Sequence, residues 1–199
     1  MDVRVADRGD LDGVVEVLTS AFREDPLWGW AFPGGEGIDE WWRFLAGSAM
    51  RYPWVWVAGD FAAVSVWIPP GGTELTPEEE GEVDGLLAGL LGPRAPEVVT
   101  LMDRFEESHP KDRPHYYLSL LGTRPDQRGQ GIGMALLADG LSRIDAEGAA
   151  AYLESSNSAN VPRYEKHGFR EIGGFERPGG GFSATTMWRE PRAAQPDQG

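Results

Sequence analysis

Three glycines within six residues form the clearest candidate for binding chemistry. The segment Arg128-Gly129-Gln130-Gly131-Ile132-Gly133 follows an apolar run, 116–123, and precedes an amphipathic segment that begins at Met134. A strand, a glycine-rich turn and a helix in this order can cradle a pyrophosphate. Glycine lets the backbone approach an anion, and the first turn of a helix offers amide N–H groups and a partial positive charge. The spacing therefore predicts a site for a phosphorylated ligand.

Two common phosphate motifs do not fit this segment. A P-loop ends in Gly-Lys-Ser or Gly-Lys-Thr, whereas Gly131-Ile132-Gly133-Met134 has neither a lysine nor a hydroxyl. A dinucleotide fingerprint has the spacing Gly-x-Gly-x-x-Gly in the first βα unit, and here the spacing differs and the segment lies late in the chain. An ordinary glycine-rich turn into a helix stays open as the simpler interpretation.

A second motif follows at a short distance. The strand candidate Ala151–Ser155 leads to Asn160-Val161-Pro162-Arg163-Tyr164-Glu165-Lys166-His167-Gly168-Phe169. Asn160 is a good helix N-cap, Pro162 suits a first helical turn, and Gly168 can end the helix in a left-handed conformation. The two motifs together resemble the acetyl-CoA site of the GCN5-related N-acetyltransferases, the GNAT family. The loop match rests on Arg128, Gly131 and Gly133.

The resemblance implies a cofactor site for acetyl-CoA and no metal. Backbone groups of Leu121, Gly122 and Thr123 would hydrogen-bond the pantetheine between two diverging strands, with Gly122 accommodating a bulge or twist. The amides from Arg128 to Gly133 would hold the pyrophosphate, a set that comprises Arg128, Gly129, Gln130, Gly131, Ile132 and Gly133. Two roles are open for the Arg128 side chain, phosphate ligand or cap of the loop, and two for Asn160, pantetheine ligand or helix cap.

The family chemistry is direct attack of an amine on the thioester. A backbone N–H near Leu121 would stabilise the oxyanion, and Tyr164 would protonate the departing sulfur, although a packing role for this tyrosine is the alternative. Glu154 is the candidate general base. His109 and His115 flank the cofactor strand and could serve instead, and a reaction without a dedicated base is also open.

Residues 54–70 and 113–169 are similar to the puromycin-acetylating type within this family. This similarity favours a small-molecule amine acceptor, such as a puromycin-like antibiotic or metabolite, and a role in antibiotic resistance. Trp28 and Trp30 flank a glycine in a loop that we expect to cover the acceptor. A protein or peptide amine acetyltransferase and a non-catalytic acyl-CoA-binding regulatory module are the alternatives.

Composition limits the other classes of function. The 199 residues carry a net charge of −14, which disfavours nucleic acid, and contain no cysteine. No apolar run is long enough to span a membrane, and the start of the chain lacks the pattern of a secretion signal. We expect a cytoplasmic monomer or homodimer that consists of a single domain, residues 1–189, and a disordered tail, residues 190–199.

Periodicity supplies the elements that would position these residues. The resemblance implies an α/β GNAT fold, a central mixed twisted sheet of about seven strands flanked by helices. The runs 54–58 and 62–68 are apolar on both faces, so they should be central strands, and 3–6 should be an edge strand. Asp10 is expected to cap the first helix. Two inserted helices are expected at about 77–108, the first capped by Thr76 with Glu79. The cofactor helix should cover about 129–147.

Overall fold

Seven strands form one mixed sheet in the computed structural model, which describes residues 2–192. The strand order is β1-β2-β3-β4-β5-β7-β6, with β4 and β5 parallel and all other neighbouring pairs antiparallel. This arrangement confirms the predicted fold class. The strands are β1 (Val3–Val5), β2 (Val55–Ala58), β3 (Ala63–Ile68), β4 (His115–Thr123), β5 (Ala150–Ser155), β6 (Arg170–Glu176) and β7 (Ser183–Arg189).

Helices cover both faces of the sheet because the central strands are apolar on both sides. Side chains of β3 alternate between two apolar cores, with Val64 and Val66 in one and Ala63 and Trp67 in the other. The first core receives α1 (Leu11–Phe22) and α3 (Ile38–Ala49), and the second receives α7 (Ile132–Ala146) and α8 (Val161–Lys166). The remaining helices are α2 (Trp28–Ala31), α4 (Pro77–Glu80), α5 (Val83–Leu91) and α6 (Ala95–Ser108).

The parallel strands β4 and β5 pair along only part of their lengths. Their register ends at Leu118 and Leu153, and β4 continues to Thr123 paired with β3 alone. The register between β3 and β4 also shifts there, because Leu118 and Leu120 pair with adjacent residues of β3 and Ser119 is the extra residue. The two strands therefore separate and leave a gap at the carboxyl end of β5.

The position of this bulge corrects the role predicted for Gly122. The irregular residue is Ser119, whereas Gly122 lies in regular pairing with Val64. A Cβ atom on Gly122 would lie 3.1 Å from the Cβ of Ala21 and 3.4 Å from Leu18. Glycine at this position thus lets α1 pack closely on β4, which is a sufficient structural reason for its presence.

The structure confirms the predicted helix start at Thr76 but divides the helix that follows it into two. Thr76 and Glu79 do form a capping box, but the helix they begin ends at Glu80, and α5 begins separately at Val83. Gly81 donates its N–H to the carbonyl of Glu79, which tightens the turn between the two helices. The insertion therefore holds three α-helices rather than two.

Asp10 does not cap α1 through its side chain. Its carboxylate accepts hydrogen bonds from the Asp7 amide and from the Arg4 guanidinium, and it completes a capping box on the 3-10 turn that precedes α1. This side chain is already engaged before α1 begins, so it cannot also serve the first amides of that helix.

A buried ion pair fastens the end of β7 to α7. Arg189, whose side chain is 3% exposed, donates to both oxygens of Asp145 at 2.7 and 2.6 Å and to the carbonyl of His167 at 2.9 Å. Burial raises the pKa of the Asp145 carboxyl, but the hydrogen bonds and charges of Arg189 and Arg192 together outweigh it and hold this pKa below its usual value. The pair therefore links the sheet to the helix at neutral pH.

Asp145→Ala should lower the free energy of unfolding by about 3 kcal/mol, because it leaves the guanidinium of Arg189 buried without its partner. A carboxyl with a lowered folded pKa stabilises the protein above its unfolded pKa, and this contribution disappears as the pH falls through the folded pKa. Urea unfolding at neutral and at acidic pH measures both effects. Asp139→Ala removes an exposed ion pair on the same helix and should cost well under about 1 kcal/mol; an equal loss in both variants would contradict the prediction.

The predicted tail lies largely outside the described residues, which end at Arg192. Two of the three tail residues that are described contact the domain. Glu190 pairs with Arg113 at 2.7 Å, and the Arg192 amide donates to Asp145 at 3.0 Å. The domain boundary at 189 stays a prediction.

Candidate active site

A cavity of about 960 Å³ opens where β4 and β5 separate. Its floor contains the predicted acid and base, Tyr164 and Glu154, together with Leu121 of β4 and Asn160 at the start of α8. Its walls come from the loops after α1 and β3 and from α6. The residues of these walls that matter below are Asp25, Trp28, Trp41, Glu74, Phe105 and His109. The predicted gap between the two strands is thus present and continues into a large pocket.

The glycine-rich loop has the geometry of an anion cradle. Gly129 and Gly131 have φ values of +81° and +76°, which favour glycine, and Gly131 is the N-cap of α7. A Cβ on Gly133 would collide with the hydroxyl of Thr123, so glycine also lets α7 approach β4. Within residues 2–192, none of the backbone amides from 129 to 134 donates a hydrogen bond to the protein. These N–H groups are therefore available to a ligand at a helix N-terminus.

Gly131→Ala should raise the KM for acetyl-CoA about tenfold and leave kcat nearly unchanged, because alanine disfavours the left-handed conformation by about 1–2 kcal/mol. Steady-state kinetics with varied acetyl-CoA measures the effect. Gly89→Ala in α5 is the matched control, since its Cβ would meet no atom within 4 Å. An unchanged KM in a folded Gly131→Ala variant would contradict the predicted pyrophosphate cradle.

The side chain of Arg128 lies against α1 in this structure. Its guanidinium donates to the carbonyl of Ala21 at 2.9 Å and lies 3.8 Å from Glu24. These contacts favour the loop-capping role over the phosphate role, because a phosphate would have to replace them.

Asn160 occupies the N-cap position of α8, but its side chain makes no capping hydrogen bond. Its amide oxygen accepts from Arg163 at 2.8 Å, and the preceding turn is capped by Asn157 instead, which accepts from the Ala159 amide. The capping role predicted for the Asn160 side chain is therefore wrong. This side chain lines the cavity, as a pantetheine ligand would.

Tyr164 is buried at 8% exposure between α8 and the sheet, with its ring edge-on to Phe169 at 6.1 Å. Burial and the nearby Asp25 carboxylate raise its pKa to about 12, against a smaller opposite effect of Arg163. The phenol is consequently protonated at neutral pH, which is the form that can donate a proton.

Glu154 is a carboxyl almost without access to water. Its side chain is 2% exposed, and its Oε1 atom has no hydrogen-bond partner in the described structure. Burial raises the pKa of Glu154 to about 8; the phenols of Tyr117 and Tyr152 oppose this rise, and the neighbouring Glu74 adds to it. A carboxyl with a pKa near neutrality in a pocket is suited to exchange protons with a bound amine.

The two alternative bases lie next to Glu154. His109 Nδ1 is 3.9 Å from Glu154 Oε1, and His109 and His115 face each other with their Nε2 atoms 3.0 Å apart. Burial lowers the pKa of both histidines, that of His109 to about 4. The structure therefore brings all three candidates into one cluster.

The two tryptophans predicted to cover the acceptor differ in position. Trp28 lines the cavity and stacks on Phe105 at 6.1 Å. Trp30 does not line the cavity, because its ring lies between the guanidinium groups of Arg94 and Arg177, at 5.4 and 5.0 Å. Trp41, which helical spacing assigns to the core, contributes to the cavity wall as well.

Sequence reasoning missed two acidic residues of the site. Asp25 accepts hydrogen bonds from the amides of Leu27 and Trp28 and from the Ser156 hydroxyl, and so joins α2 to the end of β5. Glu74 accepts from the Ser119 hydroxyl, and burial raises its pKa. Asp25 stands before Pro26 and could have been recognised as a turn or cap residue, but no local signal relates Glu74 to the site.

Sequence comparison shows which family has this combination of loop and cavity. Residues 107–190 match the sequence model of the acetyltransferase (GNAT) domain. This part of the chain is similar to GNAT acetyltransferases. This match includes β4, the glycine-rich loop, Glu154 and Tyr164, and it confirms the prediction of a GNAT-type enzyme at the level of the domain. Resemblance to the puromycin-acetylating type stays a hypothesis.

Individual relatives agree with the domain assignment. The mycothiol acetyltransferase of Paenarthrobacter aurescens is 28% identical over 109 residues, which are 52% of this chain and 28% of that protein. The match thus spans little more than a quarter of that relative. The solved structure of a histone acetyltransferase HPA2 and related acetyltransferase from Corynebacterium glutamicum is 26% identical, with a TM-score of 0.68 over 97% of both chains. A mosquito arylalkylamine N-acetyltransferase-like protein shares the GNAT fold, with 19% identity, a TM-score of 0.67 and coverage of 95% and 99% of the two chains.

Two further observations concern other kinds of site. Among residues 2–192, no group of three or more histidines, aspartates and glutamates is placed to hold a metal ion. No helix in the same range is both long and apolar enough to cross a membrane.

Proposed function

We propose that the protein transfers the acetyl group of acetyl-CoA to the primary amine of a small aromatic cation. The observation that carries this proposal is the joint presence of a buried carboxyl, Glu154, and a buried phenol, Tyr164, in one cavity at the divergence of β4 and β5. The pyrophosphate would accept hydrogen bonds from the amides of 129–134. The pantetheine would extend along the edge of β4 from Thr123 towards Leu121.

Glu154 and Tyr164 accept and donate the protons that move in the proposed reaction. The carboxylate of Glu154 removes a proton from the ammonium, and the neutral amine forms a C–N bond with the thioester carbonyl carbon. A backbone N–H near Leu121 stabilises the oxyanion. The C–S bond then breaks, and the phenol of Tyr164 gives its proton to the departing sulfur. The nitrogen of the new amide gives its second proton to the Tyr164 phenolate, which restores the phenol and leaves one proton on Glu154. Positioning in the cavity supplies a further part of the rate.

The charge of the cavity supports a cationic acceptor. Carboxyl groups of Asp25, Glu74 and Glu154 line it, while the two basic lining residues near the rim are already paired, Lys111 with Glu106 and Arg113 with Glu190. Burial raises the pKa of these carboxyls, and a bound ammonium would favour their ionised forms, whose charge no unpaired basic residue of the lining neutralises.

Aromatic walls support a compact acceptor with a flat ring. Trp28, Trp41 and Phe105 lie around the pocket, where they can stack on an aryl group or a cation. Puromycin-like aminonucleosides and arylalkylamines meet both requirements. The same walls argue against an extended protein or peptide acceptor, which would need an open groove. We place the reaction in the cytoplasm, in a monomer or homodimer, with antibiotic resistance as its role if puromycin is the acceptor.

Release of free thiol from acetyl-CoA in a panel of amines tests this proposal. The panel contains puromycin, arylalkylamines, agmatine and a lysine-containing peptide, and the Tyr164→Phe variant is measured in parallel. We expect aromatic cationic amines to give the highest kcat/KM. Thiol release with the peptide alone would favour the protein-acetylating alternative, and binding of acetyl-CoA without transfer to any amine would favour the regulatory module.

A further inference from the structure

Two histidines form a chain of polar contacts that starts at Glu154. His109, which follows α6, has its Nδ1 atom 3.9 Å from Glu154 Oε1 and its Nε2 atom 3.0 Å from His115 Nε2. His115, the first residue of β4, has its Nδ1 atom 2.7 Å from the carbonyl oxygen of Arg113. The chain thus connects the buried carboxyl to the backbone at the rim of the cavity.

The carbonyl at the end of this chain determines the tautomer of both rings. A carbonyl oxygen can only accept, so Nδ1 of His115 carries a hydrogen and donates it to Arg113. Because burial lowers the pKa of both histidines, the rings are neutral and Nε2 of His115 has a lone pair. His109 must then donate from Nε2, which leaves the lone pair on Nδ1, the ring nitrogen that lies 3.9 Å from Glu154 Oε1.

The side chains of Glu154 and His109 differ in their exposure to solvent. The side chain of Glu154 is 2% exposed, and that of His109 is 27% exposed. Glu154 therefore needs an intermediary to exchange protons with water, and His109 is a neighbouring titratable group that water can reach.

We propose that His109 carries the proton of Glu154 to solvent after each acetyl transfer, and that His115 is a positioning residue that holds His109 in the receptive tautomer. This inference rests on the proposed function, in which Glu154 takes a proton from the acceptor ammonium. The 3.9 Å between His109 Nδ1 and Glu154 Oε1 is longer than a hydrogen bond, so a small rotation of the His109 side chain must first bring the two atoms together. The O–H bond of Glu154 then breaks as an N–H bond forms at Nδ1 of His109. The imidazolium then releases that proton to water, which restores both the carboxylate and the neutral ring.

The charges around the three groups fit a transient carrier. Burial and His115 hold the pKa of His109 at about 4; Glu106 has a smaller opposite effect, and Lys111 lowers the pKa slightly further. On the side of Glu154, the facing groups are Glu74 and the phenols of Tyr117 and Tyr152, and His115 faces Arg113. A second cation, the bound ammonium, favours ionisation of Glu154 and so helps the proton to leave.

The test is His109→Gln, which keeps a polar side chain and removes the titratable ring. We expect kcat to fall about tenfold, the KM for acetyl-CoA to stay unchanged, and added imidazole to restore most of kcat. A rate that depends on the buffer is the readout that a purely structural role would not produce. His167→Gln is the matched control, because this histidine lies outside the cavity and supplies only its backbone carbonyl to Arg189.

Two results would overturn the relay. One is a kcat of His109→Gln equal to that of the unaltered protein in every buffer, and the other is a reduced kcat that imidazole does not restore. ¹⁵N NMR of the histidine rings tests the tautomers without any substrate: we expect the hydrogen of His109 on Nε2 and that of His115 on Nδ1. The opposite tautomers would also contradict the proposal.

A double variant separates failure of the relay from failure of the proposed function. If His109 acts through Glu154, then Glu154→Gln/His109→Gln should be no slower than Glu154→Gln alone. Unreduced activity of Glu154→Gln would refute Glu154 as the base, whatever His109 does. A low activity of Glu154→Gln together with an unaffected His109→Gln would refute the relay alone.

Discussion

Tyr164→Phe is expected to lower kcat about 100-fold, with little change in the KM for acetyl-CoA, because the departing thiolate loses its proton donor. The phenol has a pKa of about 12, so it is protonated throughout the range in which the protein is assayed. The pH dependence of kcat should for the same reason show no falling limb from this residue near neutrality. Single-turnover measurements at saturating acetyl-CoA would isolate the chemical step.

Tyr116→Phe provides the matched control for this variant. Tyr116 lies on β4 outside the cavity lining, and its hydroxyl donates to Glu147 at 2.6 Å. Loss of this hydrogen bond should lower the free energy of unfolding by about 1 kcal/mol and leave kcat unchanged. If Tyr164→Phe also kept kcat within about twofold, Tyr164 would be a packing residue, since catalytic proton transfer contributes far more than this.

Glu154→Gln is expected to reduce kcat/KM for the amine by about 100-fold and to change its dependence on pH. Burial raises the pKa of Glu154 to about 8, and only the carboxylate can accept the proton of the ammonium. The activity of the unaltered protein should therefore rise tenfold per pH unit below about pH 8 and level off above it. The glutamine variant should lack this limb and keep only the rise that reflects ionisation of the amine itself.

Glu165→Gln is the control for the charge change, because Glu165 lies on the exposed side of α8 close to the site in sequence. It should leave both the rate and the pH profile as they are. Retention of the limb at about pH 8 in Glu154→Gln would show that another group titrates, and His109→Gln would then be the next variant to measure.

Local patterns in the sequence were sufficient for most elements of the fold. The strands β2 and β3 could be recognised because both of their faces are apolar, and the loop before α7 because Gly129 and Gly131 need positive φ. The capping box of Thr76 and Glu79 is likewise local. The errors arose where a side chain had two available partners: Asp10 completes the capping box of the preceding turn, and Asn160 accepts from Arg163.

The remainder of the site depends on contacts between residues that are distant in the chain. Glu74 meets Ser119 across 45 positions, and Asp25 meets Ser156 across 131, so neither contact leaves a pattern in the sequence. Trp28 and Trp30 have the same spacing from their glycine, yet only the tertiary packing of Arg94 and Arg177 takes Trp30 away from the cavity. The glycine-rich motif was therefore enough to predict the cofactor loop, whereas the residues of the acceptor pocket could be identified only from the three-dimensional structure.

A crystal structure of the protein with coenzyme A tests the central claim most directly, that acetyl-CoA lies in the gap between β4 and β5. We expect the pyrophosphate on the amides of 129–134, the pantetheine along β4, and the sulfur within hydrogen-bond distance of the Tyr164 hydroxyl. A coenzyme A molecule bound elsewhere, or one in the gap with its sulfur remote from both Tyr164 and Glu154, would refute the proposed site.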